Sequence, residues 1–195
     1  MTHAVVRVWM SSGNSEYFDP RTWQLIDIFD RLFAGSCNTR LIAMGDEPVY
    51  YPADDAFAYH RLVFRHDYFS SALHEISHWC IAGPERREQV DFGYWYQPDG
   101  RTEAQQQAFE QVEVKPQALE WMLSNAAGHR FRISADNLSG GIGASEAFVE
   151  AVAQQARYWC DMPMPTRAAQ LAEALVESFG GTNYSQPHQY DVARL

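Results

Sequence analysis

The sequence predicts an α+β fold, a small sheet accompanied by several helices, built as one domain. Three observations carry this. Apolar residues recur at helical spacing in five segments with recognisable ends, while several short runs rich in aromatic and β-branched residues have strand character. A chain of 195 residues is long enough for one well-filled core. With 46% hydrophobic and 21% charged residues it has a globular composition, which excludes disorder and collagen-like repeats.

Residues 1–18 read as a loosely ordered N-terminal segment ending in the polar run Ser11-Ser12-Gly13-Asn14-Ser15. The domain proper is expected over 19–181. Asp19 can cap a first helix with Pro20 in its first turn, and Leu25, Ile28, Leu32 with Ile26, Phe29, Phe33 mark its apolar face as far as Gly35. Pro48–Tyr51 and Arg61–Arg65 read as strands. A helix with a Ser N-cap then runs from Ser70 to Ala82, with Gly83 at its C-terminal cap position and Pro84 beyond. Val90–Tyr96 reads as an aromatic strand before the turn Pro98-Asp99-Gly100. From Glu103 to about Ala127 the pattern is helical, and Pro116 predicts a kink or a restart. Phe131-Arg132-Ile133 reads as a short strand and 137–143 as a Gly/Ser-rich loop. Helices follow from Ser145 to about Cys160 and from Thr166 to Phe179, stopped by Gly180-Gly181. Residues 182–195 read as a polar C-terminal tail.

The charge balance narrows the partners. Fifteen basic against 25 acidic residues give a formal net charge of −10, which repels phosphate backbones and anionic membrane surfaces, so no direct nucleic-acid partner is expected. No apolar run of roughly 18 residues offers a membrane span. Cys37, Cys80 and Cys160 are odd in number, scattered and without a CxxC pair, as suits reduced thiols. The N-terminus lacks the features of a signal peptide, and a cytoplasmic location is expected.

The chemistry concentrates in His74-Glu75-Ile76-Ser77-His78, an H-E-x-x-H pattern inside a predicted helix. At roughly 3.6 residues per turn the two imidazoles lie one turn apart on one face and can reach a single divalent cation. A third, acidic ligand is expected from another element. Glu113 on the next long helix is the first candidate, with Glu110 and Glu120 as rivals and Asp91 and Asp67 behind them. Glu110, Glu113, Gln117 and Glu120 also fall on one stripe, which alone would suit a solvated acidic face. Two histidines and a carboxylate leave coordination positions open, compatible with zinc activating water or ferrous iron binding dioxygen. In a zinc metallopeptidase Glu75 would be the general base. The motif order predicts a zincin-like core, as in HExxH metallopeptidases.

Ala72-Leu73-His74-Glu75-Ile76-Ser77-His78-Trp79-Cys80-Ile81-Ala82-Gly83 resembles the signature of the elongation factor P hydroxylase family. Val90–Tyr96, Pro98–Arg101, Val112–Leu119 and Asp136-Asn137-Leu138 continue the likeness in order, as do Asn38–Leu41 and Asp46–Tyr50 upstream. The likeness covers about residues 20–180. It implies an enzyme that uses a divalent metal, Fe(II), with dioxygen to hydroxylate the β-lysyl-modified lysine of elongation factor P. Carried over residue by residue, His74, His78 and Glu113 match the family's metal ligands. An acidic domain with an aromatic-walled cleft would attract such a cationic side chain, with Tyr94, Trp95, Tyr96 and Trp79 as wall residues and Asp91 as the partner of an amine. The chain contains no H-x-D motif, so the jelly-roll 2-oxoglutarate oxygenase pattern is not supported.

Overall fold

The computed structural model describes residues 19–92, 101–135 and 143–195. Within these, five α-helices and a three-stranded sheet form the α+β architecture. The predicted segment 1–18, most of the strand Val90–Tyr96 and the Asp136-Asn137-Leu138 run lie outside the described residues.

Helix α1 (Pro20–Phe33) begins as its sequence requires: the Asp19 carboxylate accepts from the Arg21 amide, and Pro20 occupies the first turn, where a missing N–H costs nothing. Its buried face is Leu25, Ile26, Ile28, Phe29 and Phe33. The sheet consists of β1 (Thr39–Gly45), β2 (Val49–Tyr51) and β3 (His60–Arg65) in the order β1-β3-β2. β3 pairs parallel with β1, Leu41 opposite Leu62, and antiparallel with β2, Tyr50 opposite Leu62. Asp30 of α1 holds β1 in place by accepting from the Leu41 amide at 3.0 Å and from Arg40 Nη1 at 2.9 Å.

Helix α2 (Phe69–Ile81) starts one residue before the predicted serine cap. Tyr68 is the capping residue and makes no side-chain cap bond. The serines are used elsewhere: Ser71 Oγ accepts from the Arg65 amide, and Ser70 Oγ pairs with His129 Nε2 at 2.9 Å. Gly83 is not a left-handed cap either, because Ala82 ends the helix in an extended conformation.

Helix α3 (Glu103–Ala126) opens with a reciprocal capping box between Thr102 and Gln105 and runs unbroken through Pro116, so no restart occurs. A helical proline deprives only the carbonyl four residues earlier of its donor. That residue is Val112, which is 52% exposed. Phe131-Arg132-Ile133 forms no strand; Phe131 instead stacks on Trp121 with ring centroids 5.3 Å apart. Helix α4 (Glu146–Asp161) is capped by Ser145, and α5 (Thr166–Phe179) ends at Gly180, whose φ of 66° is the left-handed conformation that glycine tolerates best. Gly181 then passes so close to α3 that an added Cβ would lie 2.0 Å from the Ala126 carbonyl oxygen.

Two apolar clusters result. One joins α1, the sheet, α2, α5 and the end of α3. The other joins the middle of α3, Phe131, α4 and Tyr190. Tyr190 is fully buried, its hydroxyl donating to the Tyr184 carbonyl, so the expected polar tail contributes to the core. No helix among the described residues is long and apolar enough to cross a membrane.

Candidate metal centre

Helix α2 has two faces of different chemistry. Ala72, Leu73, Ile76, Trp79 and Cys80 enter the core, which leaves His74 and His78, one turn apart, turned toward α3. Their Nε2 atoms lie 3.2 Å apart. Glu113, fully buried on α3, places Oε1 3.1 Å from His78 Nε2 and Oε2 3.6 Å from His74 Nε2. Potential ligand atoms of these three residues all fall within 4.8 Å of one another, and among the described residues they form the one such group of His, Cys, Asp or Glu.

The α3 stripe is not a solvated face. Glu110, Glu113, Gln117 and Glu120 are all at least nine-tenths buried, and the structure gives each a separate task. Glu110 accepts from the amide and hydroxyl of Ser145, at 3.0 and 2.6 Å, and so anchors the start of α4. Glu120 Oε2 lies 2.8 Å from His74 Nδ1. A carboxylate on that nitrogen fixes the tautomer that leaves Nε2 as the lone-pair donor facing Glu113. Gln117 Oε1 accepts from the Ser134 amide while its Nε2 donates to the Ser134 carbonyl and to Glu113 Oε2 at 3.1 Å. Backbone thus orients Gln117, and Gln117 orients the Glu113 carboxylate. Spacing by threes and fours placed these groups on one stripe, but it could not tell a ligand from the residue that holds a ligand.

The electrostatics follow from crowding. Burial opposes a charge on His74, but the hydrogen bond to Glu120 and the carboxylates of Glu113, Glu120 and Glu75 outweigh it and hold the imidazole well above its ordinary value of 6.5. Burial likewise pushes up the carboxyls of Glu75 and Glu120 against the opposing pull of the histidines. Without a cation, His74 therefore keeps its second proton, the one on Nε2, to higher pH than a free imidazole does.

Glu75 borders a recess that it shares with Tyr50, His78, Arg86 and Asp91, next to the candidate ligands. Asp91 is joined to β2 by two backbone hydrogen bonds with Tyr50 and forms an ion pair with Arg86. Trp79 also borders the recess but is only 3% exposed, its indole enclosed by Phe29, Phe33 and the guanidinium of Arg167. Tyr94, Trp95 and Tyr96 lie outside the described residues. Asp67 is remote in role, accepting from the Asp19 amide at the start of α1. Arg101, which the sequence left without a role, is 3% exposed, stacks over Phe109 and donates to Gln106 and the Ala135 carbonyl. Arg167 of α5, not singled out by sequence, donates to the Trp79, Cys80 and Ala82 carbonyls and so closes the C-terminus of α2.

Two imidazole nitrogens and a carboxylate with room for further ligands suit zinc or ferrous iron, and the orientation of His74 by Glu120 and of Glu113 by Gln117 is the outer support that such a site requires. The residues fit a divalent metal.

Comparison with known proteins agrees with the motif order. The family described as elongation factor P hydroxylase matches residues 28–190. A protein of Haemophilus influenzae named elongation factor P lysine hydroxylase is 48% identical over 168 residues, which span 86% of this chain and 94% of that protein.

Proposed function

The chain belongs to the elongation factor P hydroxylase family, and on that premise we propose that it hydroxylates the β-lysyl-modified lysine of elongation factor P with Fe(II) and dioxygen. The observation that carries the metal dependence is the convergence of His74, His78 and Glu113 from two helices onto one point. A bound ferrous ion would supply the activation of dioxygen that insertion of oxygen into a C–H bond needs.

The chain's own residues do the rest. His74 and His78 offer Nε2, Glu113 offers its carboxylate, and Glu120 holds His74 by Nδ1. Glu75 and Asp91 give the adjoining recess two carboxyl groups suited to an ammonium, and the net charge of −10 draws a cationic side chain toward it. Glu75, its carboxyl raised by burial, can hold a proton at Oε or accept a hydrogen bond from a substrate amine. Tyr94 and Tyr96 stay in this reading as aromatic neighbours of the side chain, while Trp79, only 3% exposed, borders the recess from within the core. A zincin-like core belongs to the same proposal, supported by a histidine helix packed against a carboxylate helix, and so does a cytoplasmic location, where the protein substrate is made and used.

The same residues allow a zinc metallopeptidase reading, favoured by the position of Glu75 beside His78. Intact-mass analysis of modified elongation factor P, incubated with the reduced, iron-loaded protein in air and under nitrogen, separates the two. The proposal expects a gain of one oxygen atom in air only. Cleavage of a peptide library by the zinc-loaded protein, with no oxygen gain, would replace the hydroxylase by the peptidase.

A further inference from the structure

Residues 131–135 lie against α3 without belonging to a helix or strand, so their backbone groups need partners from elsewhere, and side chains supply them. Gln117 takes both groups of Ser134: its Oε1 accepts from the Ser134 amide at 3.0 Å, and its Nε2 donates to the Ser134 carbonyl at 2.8 Å. One residue on, the Ala135 carbonyl accepts from Arg101 Nη2 at 2.8 Å and from Gln106 Nε2 at 3.2 Å. Arg101 is itself firmly held. Its side chain is buried, its Nε donates to Gln106 Oε1 at 3.0 Å, and its guanidinium lies 3.9 Å from the centre of the buried Phe109 ring. Gln106 stands seven residues before Glu113 and Gln117 four after it, so all three share one buried stripe of α3. Ser134 and Ala135 are thus fastened to the helix on both sides of a candidate metal ligand.

The side-chain amide of Gln117 has two ends, and only one of them can support a carboxylate ligand. Nε2 donates to Glu113 Oε2 at 3.1 Å, whereas Oε1 in that place would set a lone pair against the carboxylate. The Ser134 amide decides between the two, because as a donor it requires Oε1. We propose that Arg101 is a positioning residue for Glu113: by fixing the Ala135 carbonyl, together with Gln106, it keeps the Ser134 peptide where it locks Gln117 with Nε2 turned to the Glu113 carboxylate. This rests on the reading of His74, His78 and Glu113 as a metal site. An apolar side chain could fill the space over Phe109 without the cost of desolvating a guanidinium, so packing alone does not account for a buried arginine there. The donors of the guanidinium, aimed at Ala135 and Gln106, do account for it.

The test uses Co(II) as the probe, its Kd measured by competition titration and its ligand geometry by d–d absorption, so that turnover does not enter. Arg101→Gln is expected to raise the Co(II) Kd by about three- to ten-fold, short of the roughly 10–100-fold expected for Gln117→Ala, which loses the contact with Glu113 itself. At saturating Co(II) the absorption bands of Arg101→Gln should move toward those of Gln117→Ala, a change that a loss of stability by itself does not produce. In the double variant, Arg101→Gln is expected to add less than about two-fold to the Kd of Gln117→Ala, while lowering the Tm of the metal-free protein equally in both backgrounds. Gln106→Ala removes the second donor to Ala135 and should repeat the pattern at about two- to five-fold; it decides the matter if Arg101→Gln does not fold. An unchanged Kd, or the same fold-change with and without Gln117, would overturn the positioning role. Wild-type protein that binds no Co(II) overturns the metal centre and the role of Arg101 with it, whereas tight wild-type binding that the variants leave unaltered overturns the role of Arg101 alone.

Discussion

Replacing His74 or His78 by alanine removes one of three donors, and either variant is expected to lose stoichiometric metal in elemental analysis of the purified protein. Ser77→Ala should keep it, since Ser77 Oγ only donates back to the Leu73 carbonyl. Glu120 touches the site solely through His74 Nδ1, and Glu120→Ala is expected to weaken metal binding by about 10–100-fold in a competition titration, with Glu120→Gln closer to wild type. The pH dependence has a definite sign. His74 has a folded value well above its unfolded 6.5, so in the metal-free protein its stabilising contribution is complete below about pH 6.5 and is lost as pH rises through the folded value. The upward shifts of Glu75 and Glu120 act in the same direction, with contributions complete below their ordinary 4.5 and lost as pH rises through their raised values. Metal binding at His74 Nε2, in contrast, needs the extra proton on that nitrogen gone, while Nδ1–H stays with Glu120. The difference in Tm between iron-loaded and chelator-treated protein is therefore expected to widen as pH rises from about 6 to 9; a constant difference would show that no proton is exchanged. At a further residue, burial pushes the Cys80 thiol up to about 12, so it should resist alkylation until the protein is unfolded.

At the scale of elements, α2 depends on a residue from far along the chain. Arg167 satisfies three carbonyls at its C-terminal end, and Arg167→Ala is expected to cost about 2–3 kcal/mol in denaturant unfolding, with Arg167→Lys recovering only part because one ammonium cannot also stack on Trp79 as the planar guanidinium does. The helices were legible because their caps and apolar stripes are local: Asp19-Pro20, Ser145 and Gly180 do in the structure what their types imply. Strand β1 was not. Thr39–Gly45 has no alternation, and its central place in the fold comes from pairing with β3 and from Asp30, neither visible in a short window. The predicted Phe131–Ile133 strand failed for the converse reason, its aromatic residue being recruited by Trp121 across the second core. At the candidate metal centre, the closeness of His74 and His78 was legible from the helical repeat and that of Glu113 from its place on the next long helix, although its stripe alone suited a solvated face; the parts taken by Glu120 and Gln117 depend on which neighbour each meets, here His74 and Ser134.

At the scale of the molecule, the C-terminal residues close the second apolar cluster. Tyr190 packs edge-on against Trp121 at 5.2 Å and its carbonyl accepts from Arg157 Nη1 at 2.6 Å. Tyr190→Ala is expected to destabilise the protein by about 3–5 kcal/mol in thermal unfolding, a loss that a solvated tail would not show. Helix α3 forms a wall of both clusters and also supplies Glu113, Gln117 and Glu120. The proposed metal would thus add its binding free energy to the integrity of the entire scaffold. Amide hydrogen exchange along α3 and α4 would then gauge its occupancy, and on that proposal a cell short of the ion would carry a looser, more protease-sensitive population of this enzyme.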